Sequence, residues 1–206
     1  MRRKRGWSWL VYPAAALGFV LLASVSLAPS YIHSYSIPAA SMRPKLQVGD
    51  YIFAWVGDYA AHPPERGEIA LFLHKDTTFV KRVIGLPGDT LQMKSGRLWI
   101  NGAEVDRQAD GTETDAEFGT VFQRYRETLP NGVRYPILER DDASMLDETE
   151  AFQVPADSYF VMGDNRDNSN DSRVAAFGAV PKDKFTDRPL WIYFSRTASR
   201  IGTRIN

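Results

Sequence analysis

A serine and a lysine in this sequence have the surroundings that a nucleophile and its base would need. Ser41 lies between Pro38 and Pro44 and follows two alanines, so its backbone is restricted and another chain can approach it closely. A lysine can take the proton of a serine hydroxyl only when its amine is neutral. Burial must therefore lower its pKa from the free value of about 10.4.

Lys81 fits that requirement because it lies in an apolar run over residues 78–84. The run predicts a β-strand in which Phe79, Lys81 and Val83 share one face, and a lysine between two apolar side chains is a candidate for desolvation. The strand alone leaves open an edge lysine whose amine reaches solvent. Ser41, taken alone, is equally compatible with an ordinary loop serine.

Other common catalytic arrangements have little support in the sequence. None of the three histidines, His33, His62 and His74, lies in a motif with serine and aspartate, and no paired-histidine metal pattern occurs. The absence of cysteine excludes disulfides, thiolate nucleophiles and cysteine-ligated zinc. We therefore expect neither a metal ion nor a cofactor.

A third chemically suggestive segment is the polar run over residues 163–173, which follows an apolar strand. It predicts a loop rich in hydrogen bonds from side chains to the backbone. A calcium-binding loop is the obvious alternative. Read from Asp167, however, Ser172 and Gly178 stand where the EF-hand template needs glycine and glutamate, so that template fails.

The elements that must position these residues are mostly β-strands. Short runs rich in β-branched and aromatic residues alternate with glycine-containing turns, and Asn101-Gly102 and Asn131-Gly132 are hairpin signals. No strong amphipathic helix appears. The predicted strands cover residues 51–56, 68–73, 78–84, 90–93, 159–162 and 190–194.

The N-terminal region predicts a membrane anchor. Residues 7–28 carry no charge and are long enough to cross a bilayer as a helix, and the basic residues within 1–6 should remain cytoplasmic. Residues 29–206 would then form an external catalytic domain. A cleaved signal peptide is the competing interpretation. The length of the apolar run and Pro29, directly after the possible cleavage site, oppose it.

Charge is unevenly distributed although the whole chain is formally neutral. Without the four basic residues at the start, 21 basic and 25 acidic residues remain, so the body is a poor candidate for binding nucleic acid. Residues 103–150 are markedly acidic. We expect them to form an exposed β-rich excursion that contains a hairpin and charged loops.

Taken together, these segments resemble the bacterial type I signal peptidases. The resemblance runs in family order across about residues 1 to 195. After the anchor it rests on the four motifs Ser41-Met42-x-Pro44-x-Leu46, Arg66-Gly67-Glu68-Ile69, Lys81-Arg82-Val83-Ile84-Gly85-Leu86-Pro87-Gly88-Asp89 and the loop 163–173.

The resemblance implies a role for each matching residue. Ser41 would be the nucleophile and Lys81 the general base, with Ser169 positioning the lysine. Two pairs would support the loop, Arg82 with Asp164 and Asp171 with Arg173. The pockets for small residues at the first and third positions before the cut would be lined by Ile37, Pro38, Met42, Leu46, Phe79 and Val80.

The resemblance also implies partners and location. Substrates would be exported preproteins that carry signal peptides, and the enzyme would be a monomer in the bacterial cytoplasmic membrane with its catalytic domain on the external or periplasmic side. It would bind the bilayer but not nucleic acid. One departure is Ala39, because family members often have serine or threonine there to help hold the oxyanion. An inactive signal-peptide-binding paralogue and a self-processing Ser–Lys protease remain as alternatives.

Overall fold

A computed structural model describes residues 31–57, 59, 61–115, 119–140 and 144–205. The predicted basic segment 1–6 and anchor 7–28 lie outside this part of the chain. Within it, no helix is long and apolar enough to cross a membrane. Each helix described is a single 3-10 turn of three residues, and strands dominate, so the prediction of a mostly β fold is confirmed.

A seven-stranded sheet forms the centre of the molecule, and all its neighbouring strands are antiparallel. Its spatial order is the first, second, fourteenth, third, fourth, twelfth and thirteenth strands of the chain. These strands are β1 (Ile32–Ser36), β2 (Tyr51–Val56), β3 (Ile69–His74), β4 (Thr77–Gly85), β12 (Ser158–Met162), β13 (Val180–Pro181) and β14 (Phe185–Phe194).

The remaining strands form two smaller sheets. One has four strands in the order β11–β5–β6–β7: β5 (Thr90–Lys94), β6 (Arg97–Ile100), β7 (Ala103–Glu104) and β11 (Phe152–Gln153). The other has three strands in the order β10–β9–β8: β8 (Asp106–Thr114), β9 (Val121–Thr128) and β10 (Arg134–Glu139). Both hairpin predictions are confirmed, because Asn101-Gly102 joins β6 to β7 and Asn131-Gly132 joins β9 to β10.

All six predicted strands are present, but β14 is longer than expected. The sequence predicted only residues 190–194. Pro189, directly before them, lacks the amide hydrogen that a central strand normally donates. In the structure the register of β14 against β2 shifts between Pro189 and Trp191. Such a bulge lets a strand accommodate a proline, so the strand continues back to Phe185.

The buried apolar side chains fall into three clusters. The cluster most relevant to the candidate site contains Ile37, Met42 and Leu46 together with residues of β2, β3 and β14. It therefore holds the segment on both sides of Ser41 against the main sheet. A second cluster includes Val83 of β4 and has Phe79, from the same strand, packed against it.

The expectation of an exposed excursion needs correction. Residues 103–150 do contain the expected strands, but β10 is largely buried and contributes Tyr135 and Ile137 to the largest core cluster. Glu127 of β9 is only 1% exposed and accepts hydrogen bonds from both Arg166 and Tyr135. The acidic composition predicted exposure to solvent. This carboxylate can be buried because Arg166 and Tyr135 donate hydrogen bonds to it.

This buried pair predicts a large loss of stability on removal of one partner. Glu127→Ala would leave the fully buried Arg166 guanidinium without its carboxylate, a change that typically costs about 3–5 kcal/mol. Urea-induced unfolding should show this loss. Glu104→Ala is the matched control, because Glu104 pairs with Arg97 at the surface of the same excursion, where such pairs contribute about 1 kcal/mol or less. Equal effects of the two substitutions would contradict the assignment.

Candidate active site

Ser41 lies in the 3-10 turn Ala40–Met42, between β1 and β2. The turn is held by two backbone bonds, in which Arg43 N–H donates to the Ala40 carbonyl and Leu46 N–H donates to the Met42 carbonyl. Met42 is fully buried. The buried Met42 side chain therefore anchors the turn in the core. Ser41, directly before it, stays half-buried and accessible.

Lys81 reaches Ser41 from the middle of β4. Its Nζ lies 2.6 Å from Ser41 Oγ, which is hydrogen-bond distance. Only 3% of Lys81 is exposed, and its amine lies 5.8 Å from the centre of the Phe79 ring. The structure therefore brings together the two residues that the sequence singled out, and Lys81 is not a surface lysine.

Burial lowers the pKa of Lys81 to about 8. Desolvation is the dominant cause, because an ammonium ion loses its hydration inside the protein. Asp171 and Asp164 act in the opposite direction and Arg173 acts with burial. At pH 7 a lysine with this pKa is neutral in about a tenth of the molecules, and the neutral form can accept a proton from a neighbouring hydroxyl.

The polar loop 163–173 follows β12, whose Met162 pairs with Arg82 of β4, and this pairing carries the loop to Lys81. Within the loop, Gly163 N–H donates to Asp171 Oδ2 at 3.0 Å, and Arg173 Nε donates to Asp171 Oδ1 at 2.9 Å. The first is a side-chain-to-backbone bond of the kind that the sequence predicted, and the second joins two side chains. Burial alone would raise the pKa of Asp171, but Arg173 lowers it overall.

Asn165 connects this loop to the turn that contains Ser41, a contact that sequence reasoning missed. Its backbone N–H donates to the Ser41 carbonyl at 3.0 Å, and its side-chain amide donates to the Ala40 carbonyl at 3.2 Å. Asn165 is fully buried. The sequence showed only that the loop was polar, and nothing in a run of such residues distinguishes the one that crosses to another segment.

Ser169 lies at the same point of contact. Its Oγ is buried and close enough to the Asp171 carboxylate to help lower the pKa of that group, although the two do not form a hydrogen bond of good geometry. It packs directly against Gly163, so closely that a side chain there would overlap it. Its suggested role in positioning Lys81 stays a prediction, as does the catalytic role of each residue in the pair.

Arg82 and Asp164 form a buried pair behind the site, each only 1% exposed. Arg82 donates to the two carboxylate oxygens at 2.8 and 2.7 Å and to the Gly67 carbonyl at 2.7 Å. Its guanidinium also stacks 4.2 Å from the centre of the Tyr135 ring. Arg82 follows Lys81 in the chain, so its side chain lies on the other face of β4. There it holds Asp164.

The residues expected to line the substrate pockets divide into two groups. Pro38 is exposed and Phe79 and Val80 are half-buried, so these three can meet another chain. Ile37, Met42 and Leu46 are instead buried, at 3%, 0% and 0% exposed, in the cluster under Ser41. They support the surface from below in this structure, and a lining role for any of the six stays a prediction.

Two of the histidines interact with residues other than Ser41 and Lys81. His33 contacts Asp187 at 3.2 Å, and His74, at the end of β3, stacks on Phe177. In the part of the chain that is described, no three histidine, aspartate or glutamate side chains are arranged to hold a metal ion.

Comparison with known proteins adds the decisive observation. The family model described as "Signal peptidase, peptidase S26" matches residues 7–194, which is most of the chain. The chain belongs to this signal peptidase family. It is therefore a serine peptidase, and the comparisons do not favour the alternatives of a self-processing protease or an inactive binding protein.

Two relatives named signal peptidase I, both from Rickettsia species, support the same assignment. Those of Rickettsia akari (strain Hartford) and Rickettsia prowazekii (strain Madrid E) are both 32% identical to this chain, over 206 and 209 residues. The alignments cover 86% and 87% of this chain and 77% and 78% of the relatives. A crystal structure of a signal peptidase I from Enterococcus faecalis V583 is 26% identical, covers 61% of this chain and 95% of that one, and has a TM-score of 0.37.

The tight contact at Gly163 predicts a sensitive position in this signal peptidase family member. A Cβ at residue 163 would lie 2.5 Å from the Ser41 carbonyl oxygen and closer still to Ser169 Oγ. Gly163→Ala must therefore displace one of the two segments, and displacement of a reacting group by 1 Å can cost about 100-fold in rate. Peptide cleavage should fall by about that factor in a folded protein.

Gly111→Ala is the matched control for that substitution. It places a Cβ in open space on β8, although at a positive φ of 93°. We expect a small loss of stability with activity retained. Near-normal activity of folded Gly163→Ala would contradict the contact between loop and nucleophile.

Proposed function

We propose that this protein is a membrane-bound serine endopeptidase that removes signal peptides from exported preproteins, with Ser41 as nucleophile and Lys81 as general base. The observation that carries the proposal is the 2.6 Å contact between Ser41 Oγ and the amine of a buried lysine whose pKa is about 8. Family membership supplies the reaction class.

The reaction would begin with neutral Lys81 taking the proton of Ser41 Oγ as that oxygen attacks the scissile carbonyl. The protonated amine then gives the proton to the leaving nitrogen, which releases the mature protein and leaves an acyl group on Ser41. Water, deprotonated by Lys81, hydrolyses this ester and frees the signal peptide. Because Ala39 has no hydroxyl, backbone N–H groups, chiefly that of Ser41, would hold the oxyanion.

A preference for small residues before the cut is consistent with the surface beside Ser41. Pro38 and Val80 can flank a bound segment, while fully packed side chains such as Met42 and Leu46 lie directly beneath. A surface with packed side chains so close beneath it would leave little depth for a large substrate side chain. Alanine or glycine at the first and third positions would fit it.

An aromatic patch supports association with the bilayer. Tyr31, Tyr51, Trp55, Trp191 and Phe194 are all 39–55% exposed, and they lie at one edge region of the main sheet on β2, β14 and the start of β1. Tyr31 follows the predicted anchor by three residues. Aromatic residues of this kind favour the membrane–water interface, so we propose a single-pass monomer whose external catalytic domain rests on the lipid.

The test of the catalytic pair is cleavage of a synthetic preprotein by purified variants. Ser41→Ala removes the nucleophile and Lys81→Met replaces the amine by an apolar group of similar length. Each should abolish cleavage while the unfolding transition is preserved. Lys94→Met is the control, because Lys94 is an exposed lysine on β5 and its loss should leave the rate unchanged. Near-normal turnover in folded Ser41→Ala or Lys81→Met would overturn the proposal.

The aromatic patch can be tested with the full chain in vesicles that contain brominated lipid, which quenches tryptophan fluorescence on contact. In a protein whose Trp7 and Trp9 are replaced by phenylalanine, we expect strong quenching that is largely lost on substitution of Trp55 and Trp191 by phenylalanine. Trp99→Phe is the control, because Trp99 lies on the separate sheet of β6. Quenching that depends on Trp99 instead would contradict the placement of the patch on lipid.

A further inference from the structure

A cavity of about 250 Å³ lies immediately beside Ser41 and is shared between the nucleophile turn and the excursion. Ala40 and Arg43, on either side of Ser41 in the chain, form one wall, and Asn168, next to Ser169, lies on another. Thr120 and Phe122 of the excursion contribute to the rest. None of the residues expected to contact the signal peptide lines this cavity.

The cavity contains charged side chains, in contrast to the apolar surface around Pro38 and Val80 proposed for the signal peptide. Arg43 is the central group, because its Nη2 donates to Glu113 at 2.9 Å and its Nη1 contacts Asp115, both on the excursion. Its guanidinium lies 5.7 Å from the centre of the Phe122 ring.

Two further charges line the same cavity, Arg140 and Asp167. The backbone N–H of Arg140 donates to Asp167 at 2.7 Å. The four charged residues that line the cavity, Arg43, Arg140, Asp115 and Asp167, cancel formally. Glu113 does not line the cavity, but it binds Arg43 and brings the whole group to one negative charge.

We infer that this cavity is the subsite for the first residues of the mature protein, those that follow the scissile bond, and that it selects against acidic side chains there. The inference rests on the proposed function. A substrate whose signal peptide lies over Pro38 and Val80 must continue past Ser41 along the other flank of the turn. The cavity on that flank is the one bounded by Ala40, Arg43 and Asn168.

The inference gives the excursion a role in selectivity. Its β8 supplies Glu113 and the adjoining Asp115, which hold Arg43 and offset its charge. Removing Arg43 would leave the negative charges of Glu113 and Asp115 uncompensated. Neutralising Glu113 would instead remove one of these two negative charges. The two changes should therefore shift charge selectivity in opposite directions, and a purely structural contact would not produce such a result.

The experiment compares peptides that differ only by lysine or glutamate at the first or the second position after the cut. In the wild-type protein we expect kcat/KM to be about threefold higher for lysine at one of these positions, the size of effect that one partly screened charge gives at short range. Arg43→Gln should increase the lysine-to-glutamate ratio about threefold further, and Glu113→Gln should bring it close to one.

Arg126→Gln is the control, because it removes the same charge from an exposed position on β9 that pairs with Asp110 away from the cavity. It should leave the ratio unchanged. The inference would be overturned if the lysine-to-glutamate ratio stayed unchanged in both Arg43→Gln and Glu113→Gln. It would also be overturned if the ratio moved in the same direction in both variants. Since Arg43 is close to Ser41, Glu113→Gln decides the matter if Arg43→Gln is inactive.

Failure of the proposed function would look different. In that case the wild-type protein would cleave none of the peptides, or cleavage would persist in Ser41→Ala. Serine-dependent cleavage with no charge selectivity that follows Arg43 and Glu113 would defeat only the subsite inference.

Discussion

The structure depends on keeping one lysine amine buried, next to a serine hydroxyl and without a carboxylate of its own. A carboxylate bound to Lys81 would hold it protonated, and exposure to water would do the same. The two acids closest in influence, Asp171 and Asp164, are each held by an arginine, Arg173 and Arg82 respectively. Their attraction for Lys81 is thereby offset, and desolvation decides its protonation state.

That arrangement explains why so many charged groups are buried in a small domain. Arg82, Asp164, Arg166 and Asp171 are all within 1% of full burial, and such pairs seldom contribute much net stability. Here they fix geometry. Asp171 holds the backbone at Gly163, and Asn165 holds the carbonyl of Ser41. Arg166, next to Asn165, extends the connection to Glu127 in the excursion.

Much of this could be predicted from the sequence, and the exceptions have physical reasons. The β-branched and aromatic residues of 51–56 and 78–84 indicated strands correctly, because such side chains pack well on a pleated sheet. The first half of β14 was missed because Pro189 is accommodated by a bulge, which depends on the partner strand. Burial of Glu127 was missed because its arginine and tyrosine partners come from distant or separate segments of the chain.

The site was predictable to a similar extent. Ser41 and Lys81 were found because a neutral lysine needs an apolar strand and the motifs resemble a known family. Asn165 and the charged cavity around Arg43 were not found, because their meaning arises only when the loop, the turn and β8 come together. No pattern within any one of those segments records the contact.

The most direct test of the central claim is a titration of the lysine amines of the folded protein by nuclear magnetic resonance, with Lys81→Met used to assign the Lys81 signal. The account predicts that Lys81 loses its proton with a pKa of about 8. It is therefore charged below that pH and increasingly neutral, and able to act as a base, above it. A Lys81 signal that titrates near the free value of about 10.4 would show that burial does not neutralise the amine, and would contradict the account.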